Sequence, residues 1–456
     1  MAAATTGSLP PLWRRLSVRH LLLLAPWIGI VIGAARPIRD NSFLWHIRAG
    51  DLQLTSGVVL STDPFSLTMS GEPWRTQSWL ADLLYGSLEQ ATGGLGWVPW
   101  LLIVCGGLVL ALVGYVTFRR VSNPLPVALA LVALMWLGLP NLVPRPVLFS
   151  LVLLALLMVV LETQTDWPLP LILWVWAGVH GSFVLGLGLL ILDALRRRIA
   201  WRRATVRVGL GLIVVSLTAH GLGVWTMLAS FLTNRAALDF ISEWAPPDLL
   251  SVSVAPYVVV MVAVLAAAAL GRIEVRELWV VAPLLVFGLT SARAIMPAAI
   301  VLVPFAASVW RPATEVDVVS RGPARVNLAI ALVLIVLPLI AVAGFKGLDT
   351  ERFPVDAAAY LDADAVWHDD ATGGYLIFVD RLPVFIDDRA ELYGAEFFRE
   401  FVDTRRGTPA WQAAFEKYGI EQALVANDAG LAGVLATEGW RVEFSDDRWT
   451  VFSRYP

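Results

Sequence analysis

Apolar residues run in long blocks along most of this chain, separated by short links rich in arginine. A bilayer is crossed by about 20 helical residues, or fewer where a helix is short or re-entrant, and on that measure the blocks make about eleven spans. They lie near 18–36, 97–117, 124–140, 147–162, 168–181, 183–195, 205–222, 253–271, 277–291, 294–310 and 326–345. One link departs from the pattern: residues 37–96 form a long polar stretch between the first and second blocks. After 345 the blocks stop and shorter periods take over. Ala365–Trp367, Tyr375–Val379, Val384–Ile386 and Ala423–Ala426 read as strands, and Glu396–Thr404, Pro409–Tyr418 and Gly430–Glu438 as helices. Arg441 to Phe444 and Trp449 to Phe452 flank Ser445 to Arg448 as a hairpin. The pattern predicts an α-helical polytopic membrane protein, with a transmembrane part over 1–345 carrying a large first outer loop at 37–96. A small C-terminal α/β domain follows over 346–456, long enough to bury a core of its own.

Composition agrees with the lipid solvent. Of 456 residues 57% are hydrophobic and 16% charged, with 20 Trp and a mean hydropathy of +0.70, which excludes an ordinary globular protein. The net charge of −3 conceals two unlike halves. From Lys346 onward there are 11 basic and 21 acidic residues, a balance of −10, and the residues before it carry +7. No nucleic-acid partner is expected of such a chain, and its single cysteine, Cys105, allows no internal disulfide.

Basic residues orient the spans. With a cytoplasmic N-terminus, the inner loops hold Arg14, Arg15 and Arg19, then Arg119 and Arg120, the Arg196–Arg207 group, Arg272 and Arg276, and finally Arg311, Arg321 and Arg325. An odd number of spans then places the C-terminal domain outside the cytoplasm. The first block has some features of a signal peptide, with small residues at Gly33-Ala34-Ala35, but the charge pattern needs it as a retained span.

Arginines that disobey this rule point to chemistry. Arg36, Arg39, Arg48, Arg75, Arg145, Arg235 and Arg293 all fall on the outer side. The guanidinium fork matches phosphate, so a phosphate carried by a lipid is a natural ligand; snorkelling or pairing with Asp40, Asp63, Asp239 and Glu243 is the alternative. Arg145 stands out between Pro144 and Pro146, where a helix must break, and Arg293 because it interrupts two apolar runs.

Within the outer loop, Trp45, Phe65, Trp74, Trp79 and Leu80 are apolar anchors of a folded lid, and Trp79 to Gly86 has the period of an interfacial helix. Asp63-Pro64-Phe65-Ser66 and Gly71-Glu72-Pro73-Trp74 read as turns. Asp40 sits at the mouth of the first span, where an acidic residue is costly and marks a candidate site. It is placed either to cap a helix over Asn41–Gly50 or to accept a proton from a hydroxyl, ionised beside Arg36 and Arg39. His46 fits a hydrogen-bonding role that holds the loop, with substrate contact as the alternative.

These residues carry a resemblance. Asp-x-x-x-x-Trp-His-x-x-x-Gly over Asp40–Gly50, Ser61 to Ser66 and Gly71 to Trp74 look like the first periplasmic loop of a bacterial family of multi-span proteins similar to the GT-C glycosyltransferases. The likeness continues in Arg145 to Ser150, Trp176 to Phe183, Glu243 to Pro246, Arg293, Gly373 to Leu376 and Val384 to Arg389. It implies an inner-membrane enzyme that takes a sugar from a polyprenyl-phosphate donor, with inversion, to a glycan, lipid or protein acceptor outside the cytoplasm. It also implies an acidic base in the first loop, at Asp40; from the residues themselves, donor or substrate contacts are expected at His46, Arg75, Arg145, His180 and Arg293. Where many relatives have a second acidic residue, this chain has Asn41 and Ser42, so Asp63 or Glu243 is expected to supply the carboxylate by folding over the cavity.

His180, between Trp176 and Phe183, and His220, beside Gly221, are either packed, hydrogen-bonded residues or contacts to phosphate or metal. No metal-ligand spacing and no phosphate loop are present, so no cofactor is expected, with a divalent metal left open by the resemblance. Asp387-Asp388-Arg389 with Tyr393-Gly394 is read as a salt-bridged turn or as a contact to a sugar or polymer. A non-catalytic scaffold, a transporter and a glycan polymerase or ligase remain as alternatives; the absence of repeated broken helices speaks against the transporter.

Overall fold

A computed structural model describes residues 21–233, 242–310, 324–379 and 383–454. Arg14, Arg15, Arg19, Arg235, Asp239, Arg311 and Arg321 therefore lie outside the described residues. The membrane part contains α1 (Ala25–Ala34), then α2 (Ser42–Ser56) and α3 (Trp79–Thr92) in the first loop. There follow α4 (Val98–Arg120), α5 (Pro124–Gly138), α6 (Val147–Thr163), α7 (Leu169–Val179), α8 (Phe183–Arg197) and α9 (Trp201–Val215). After α10 (Gly223–Thr233), which no predicted block covered, come α11 (Ala255–Ala269), α12 (Leu278–Thr290), α13 (Ala292–Ala307) and α14 (Ala324–Ala343).

Each predicted block overlaps a helix, although α9 ends at Val215, short of the end of the 205–222 block. Among the described residues, three stretches, Val98–Arg120, Pro124–Asn141 and Ala292–Trp310, are long and apolar enough to cross a membrane, and several other apolar helices are shorter. The central one is α13: its residues from Ala298 to Ala307 are all buried, and it packs against α5, α4, α11 and α12.

In the first loop, α2 and α3 pack in close contact because Gly50 and Gly86 face each other. A Cβ on Gly50 would lie 1.9 Å from the Asp82 carbonyl oxygen, and one on Gly86 2.7 Å from Gly50 itself. The pair is locked by His46, whose Nδ1 lies 2.6 Å from Asp82 Oδ1, and by Thr76, whose hydroxyl reaches Asp82 Oδ2 at 2.5 Å.

The tail folds as β1 (Val366–His368), α15 (Asp370–Phe378), α16 (Ala390–Arg405), α17 (Ala410–Tyr418), β2 (Gln422–Ala426), α18 (Gly430–Thr437), β3 (Arg441–Ser445) and β4 (Trp449–Ser453). The sheet order is β1-β2-β4-β3, with β1 parallel to β2 and the other pairs antiparallel. The hairpin falls where the sequence places it, its turn closed by the Asp446 carboxylate accepting from the Arg448 and Trp449 amides. Two predicted strands are absent. Tyr375–Val379 is helical, because its apolar run buries against α2 rather than within a sheet; a short apolar run does not distinguish the two by period. Val384–Ile386 is extended but pairs only through a bridge to Ser66 in the first loop.

Thus the tail is sewn to the first loop. Leu67 donates to the Val384 carbonyl at 2.7 Å, Val384 to that of Phe65 at 3.0 Å, and the Thr68 hydroxyl to that of Phe385 at 2.8 Å. Further back, Ile38 and Leu348 form a second bridge. One face of the sheet joins the helical core through Leu424 and Val451, and the other closes a separate aromatic core around Trp367, Phe385, Phe401 and Phe415.

Candidate functional site

The seam between first loop and tail gathers the unusual charges. Asp40 is 8% exposed at the start of α2. Its Oδ1 accepts the Phe43 amide at 3.0 Å, so it caps the helix, and its Oδ2 accepts Arg145 Nε at 2.6 Å. Neither Arg36 nor Arg39 is that partner: Arg39 pairs with Asp349 at 2.7 Å. Arg145 is free to reach across because Pro144 and Pro146 keep it out of helix until α6 begins.

Arg145 is the hub of the site. Its Nη1 lies 3.6 Å from Glu243, and Glu243 in turn takes both Nε and Nη2 of Arg293 at 2.5 Å. The Arg293 guanidinium also stands 5.1 Å over the Trp244 ring. Ala292 N–H donates to the Ala245 carbonyl at 3.0 Å, which fixes the Glu243 turn to the start of α13. Burial opposes the charge of Arg145, but Asp40, Asp388 and Glu243 together hold its pKa above the ordinary value. Burial likewise works against the Glu243 carboxylate, yet Arg293 and Arg145 keep it below the usual range.

Asp388, on the tail, completes the cluster. Its Oδ1 accepts the Trp45 indole N–H at 3.0 Å, and Ser42 hydrogen-bonds to it as well. Burial pushes its carboxyl up to about 6, helped by Asp387 and Asp40 and opposed by Arg145 and Ser42. Its neighbours do a different job. Arg389 is 1% exposed and donates to Asp63 at 2.6 Å and to both oxygens of Asp387 at 2.8 and 2.6 Å, while Tyr393 adds its hydroxyl to Asp387 at 2.9 Å. The Asp-Asp-Arg segment therefore divides: residues 387 and 389 make the salt-bridged turn, and residue 388 turns the opposite way, into the site.

The remaining predicted residues are distributed as follows. Asp63 is buried beneath Arg389 and holds its own turn, accepting the Phe65 and Ser66 amides; it does not join the cluster at Arg145. His46 is buried, stacked on Trp45 at 3.6 Å and tied to Asp82. His180 rests on Ser182 at 2.9 Å. Arg75 is exposed and lies beside Gly223 and His220, whose Nε2 is 2.7 Å from the Thr76 carbonyl. Asn41, overlooked as a functional residue, clamps the tail: Nδ2 donates to the Asp370 carbonyl at 3.0 Å and Oδ1 accepts the Tyr375 amide at 2.9 Å. That clamp needs Gly374, where a Cβ would fall 2.1 Å from the Asn41 carbonyl oxygen.

Among the described residues no three His, Cys, Asp or Glu side chains converge as metal ligands. The carboxylates of Asp40 and Glu243 converge on the Arg145 guanidinium.

Compared with solved structures, the chain is similar to ArnT from Cupriavidus metallidurans, in a crystal structure bound to undecaprenyl phosphate. The TM-score is 0.52 at 13% identity, over 96% of this chain and 97% of that one. The chain has the ArnT fold. The resemblance drawn from short motifs is thus matched by a likeness of fold alone, for a mostly helical chain with a small sheet at its end. No protein-family model matches the chain, and no curated protein matches it by sequence.

Proposed function

We propose that this chain is a bacterial inner-membrane glycosyltransferase of the GT-C kind, moving a sugar from a polyprenyl-phosphate donor to an extracytoplasmic glycan, lipid or protein with inversion at the sugar carbon. The observation that carries the reading is the paired fork of Arg145 and Arg293, each at a helix break, bridged by Glu243 at the seam of loop and tail. In ArnT the fold accompanies bound undecaprenyl phosphate. Here Glu243, with its side chain 47% exposed, occupies the two guanidinium groups as a phosphate would. A donor phosphate displaces it, and the arginines then neutralise the charge that grows on the phosphate as the sugar leaves. One of the two carboxylates flanking Arg145, Asp40 or Asp388, takes the proton of the acceptor hydroxyl.

Orientation follows the same reading. The first loop and the tail share a face, which requires an even number of crossings between them. The ten remaining spans of the sequence pattern supply it, with both parts outside the cytoplasm.

Binding of undecaprenyl phosphate to the purified protein, followed by native mass spectrometry, tests the proposal. Arg145→Glu and Arg293→Glu are expected to weaken binding by about tenfold or more, since each removes a charge-assisted contact worth about 1.5–3 kcal/mol and adds repulsion. Glu243→Gln is expected to bind at least as tightly as the parent. If Arg145→Glu binds the lipid like the parent, the donor site lies elsewhere.

A further inference from the structure

We propose that the general base is carried by the C-terminal domain: Asp388 accepts the proton of the acceptor hydroxyl, and Asp40 is a positioning residue that holds Arg145 in place. The assignment rests on the transferase reading above and refines it.

Both carboxylate oxygens of Asp40 are already committed. Asp40 has one oxygen in the cap of α2 and the other on Arg145 Nε at 2.6 Å, and it is 8% exposed. A proton placed on either oxygen would loosen the helix start or release the guanidinium. Release would come at the moment when negative charge grows on the departing phosphate, which is when the arginine is needed most. Asp388 has no such commitment. It is half-buried, its hydrogen-bond partners among the described residues are the neutral donors Trp45 and Ser42, and protonating it would leave Arg145 still anchored by Asp40.

Electrostatics supports the same division. The groups facing Asp388 are Arg145, Asp387, Asp40, Ser42 and Trp45. Burial and the two neighbouring carboxylates outweigh Arg145 and Ser42, leaving the Asp388 carboxyl at about 6. A base with a pKa near the working pH combines a large ionised fraction with real affinity for the proton.

The fold also provides rigidity. Asp388 is flanked by Asp387 and Arg389, both fixed in the buried clamp, and the domain is docked by Asn41 on the residue next to Asp40. Asn41 and Ser42 follow Asp40 with no second carboxylate, and both serve Asp388: Asn41 seats the tail that carries it, and Ser42 hydrogen-bonds to it.

In the transfer step the acceptor oxygen forms a bond to the anomeric carbon as its proton passes to Asp388. The bond from that carbon to the phosphate oxygen breaks, and its electron pair leaves with polyprenyl phosphate between Arg145 and Arg293. Asp388 then returns the proton to water.

The test uses the full-length protein in detergent with undecaprenyl-phosphate hexose, pentose and N-acetylhexosamine donors and a cell-envelope extract as the source of acceptors. Release of undecaprenyl phosphate is read by mass spectrometry. Asp388→Asn is expected to cut release on the order of 10²–10⁴-fold while binding of undecaprenyl phosphate stays within about threefold, because only the proton acceptor is lost. The rise of the parent's rate with pH through about 6 disappears in that variant. Asp40→Asn is expected to weaken lipid binding as well as turnover, since Arg145 loses its anchor. Should Asp388→Asn fail to fold, Asp388→Glu keeps a carboxylate and is expected to retain both turnover and a displaced pH limb. The assignment is overturned if Asp388→Asn keeps the parent's rate or its pH limb, or if Asp40→Asn loses turnover with lipid binding unchanged. A parent that consumes none of the donors overturns the transferase reading and this assignment with it.

Discussion

Replacing Arg389 by methionine isolates the joint between first loop and tail. The side chain is 1% exposed, carries three short contacts to Asp63 and Asp387, and stands 4.5 Å from the Trp74 ring centroid and 5.2 Å from that of Phe65. Methionine fills similar volume but leaves two carboxylates in an apolar shell with no cation between them. Removing one partner of a buried ion pair costs about 3–5 kcal/mol. At 1.36 kcal/mol per decade this speeds local opening on the order of 10²–10⁴-fold. Lysine keeps the charge but not the fork, so it holds one carboxylate at a time and is expected to cost about 1.5–3 kcal/mol, the value of one hydrogen bond to a charged group. Hydrogen exchange read by mass spectrometry measures the opening peptide by peptide. Residues 61–74 and 384–394 should lose protection in the order methionine, lysine, parent, while Val98–Arg120 in the membrane core is unchanged. The reasoning is refuted if Arg389→Met protects both segments as the parent does, or if protection falls equally in the membrane helices.

Three other expectations follow from the same structure. Gly374→Ala puts a methyl group 2.1 Å from the Asn41 carbonyl oxygen, so the tail must shift; a loss of about 1–3 kcal/mol is expected, read as a lower melting temperature, and an unchanged one would show that the contact is slack. His368 has its Nε2 accepting the Phe385 amide at 2.9 Å, and burial lowers its pKa to about 4. Between the ordinary 6.5 and about 4 the unfolded chain holds a proton that the native one refuses, so stability is full above 6.5 and drains away as pH falls through 4. His368→Gln should flatten that part of the stability curve, and an unaltered slope would assign it to other groups. Finally, a reporter fused after Pro456 should be active only if it functions outside the cytoplasm; activity of a cytoplasm-specific reporter there reverses the topology.

Local signals were legible and distant ones were not. Apolar blocks foretold most of the helices before residue 345, α10 excepted, because a continuous apolar run is a local property, and the Asp446 turn foretold its hairpin for the same reason. Arg145 and Arg293 stood out because prolines and apolar neighbours gave them no local partner. What the sequence hid was pairing across the chain. Asp40 finds its cation at Arg145, 105 residues away, rather than at Arg36 or Arg39 nearby. Tyr375–Val379 becomes a helix because α2 offers it an apolar seat, a circumstance its own period does not record. Asp388 was recognised only as part of a charged triplet, since which member faces the seam depends on the Asp63–Arg389 clamp, formed by residues 326 apart.

That distance also has a meaning in time. Asp388 follows Trp45, the indole that holds it, by 343 residues. At about 5–20 residues per second the ribosome takes about 20–70 s to bridge that interval. Throughout synthesis of the intervening spans the arginines and Asp40 exist in a chain that lacks its proposed base. A polypeptide released early, or one whose tail is stranded on the wrong side by a single missed crossing, retains Arg145, Arg293 and Asp40, the groups proposed to hold a lipid phosphate, but not Asp388, the base proposed for the transfer. On the proposed assignment, competence arrives only with correct insertion of every segment before the tail, so that each nascent molecule is inspected by a domain made after its spans.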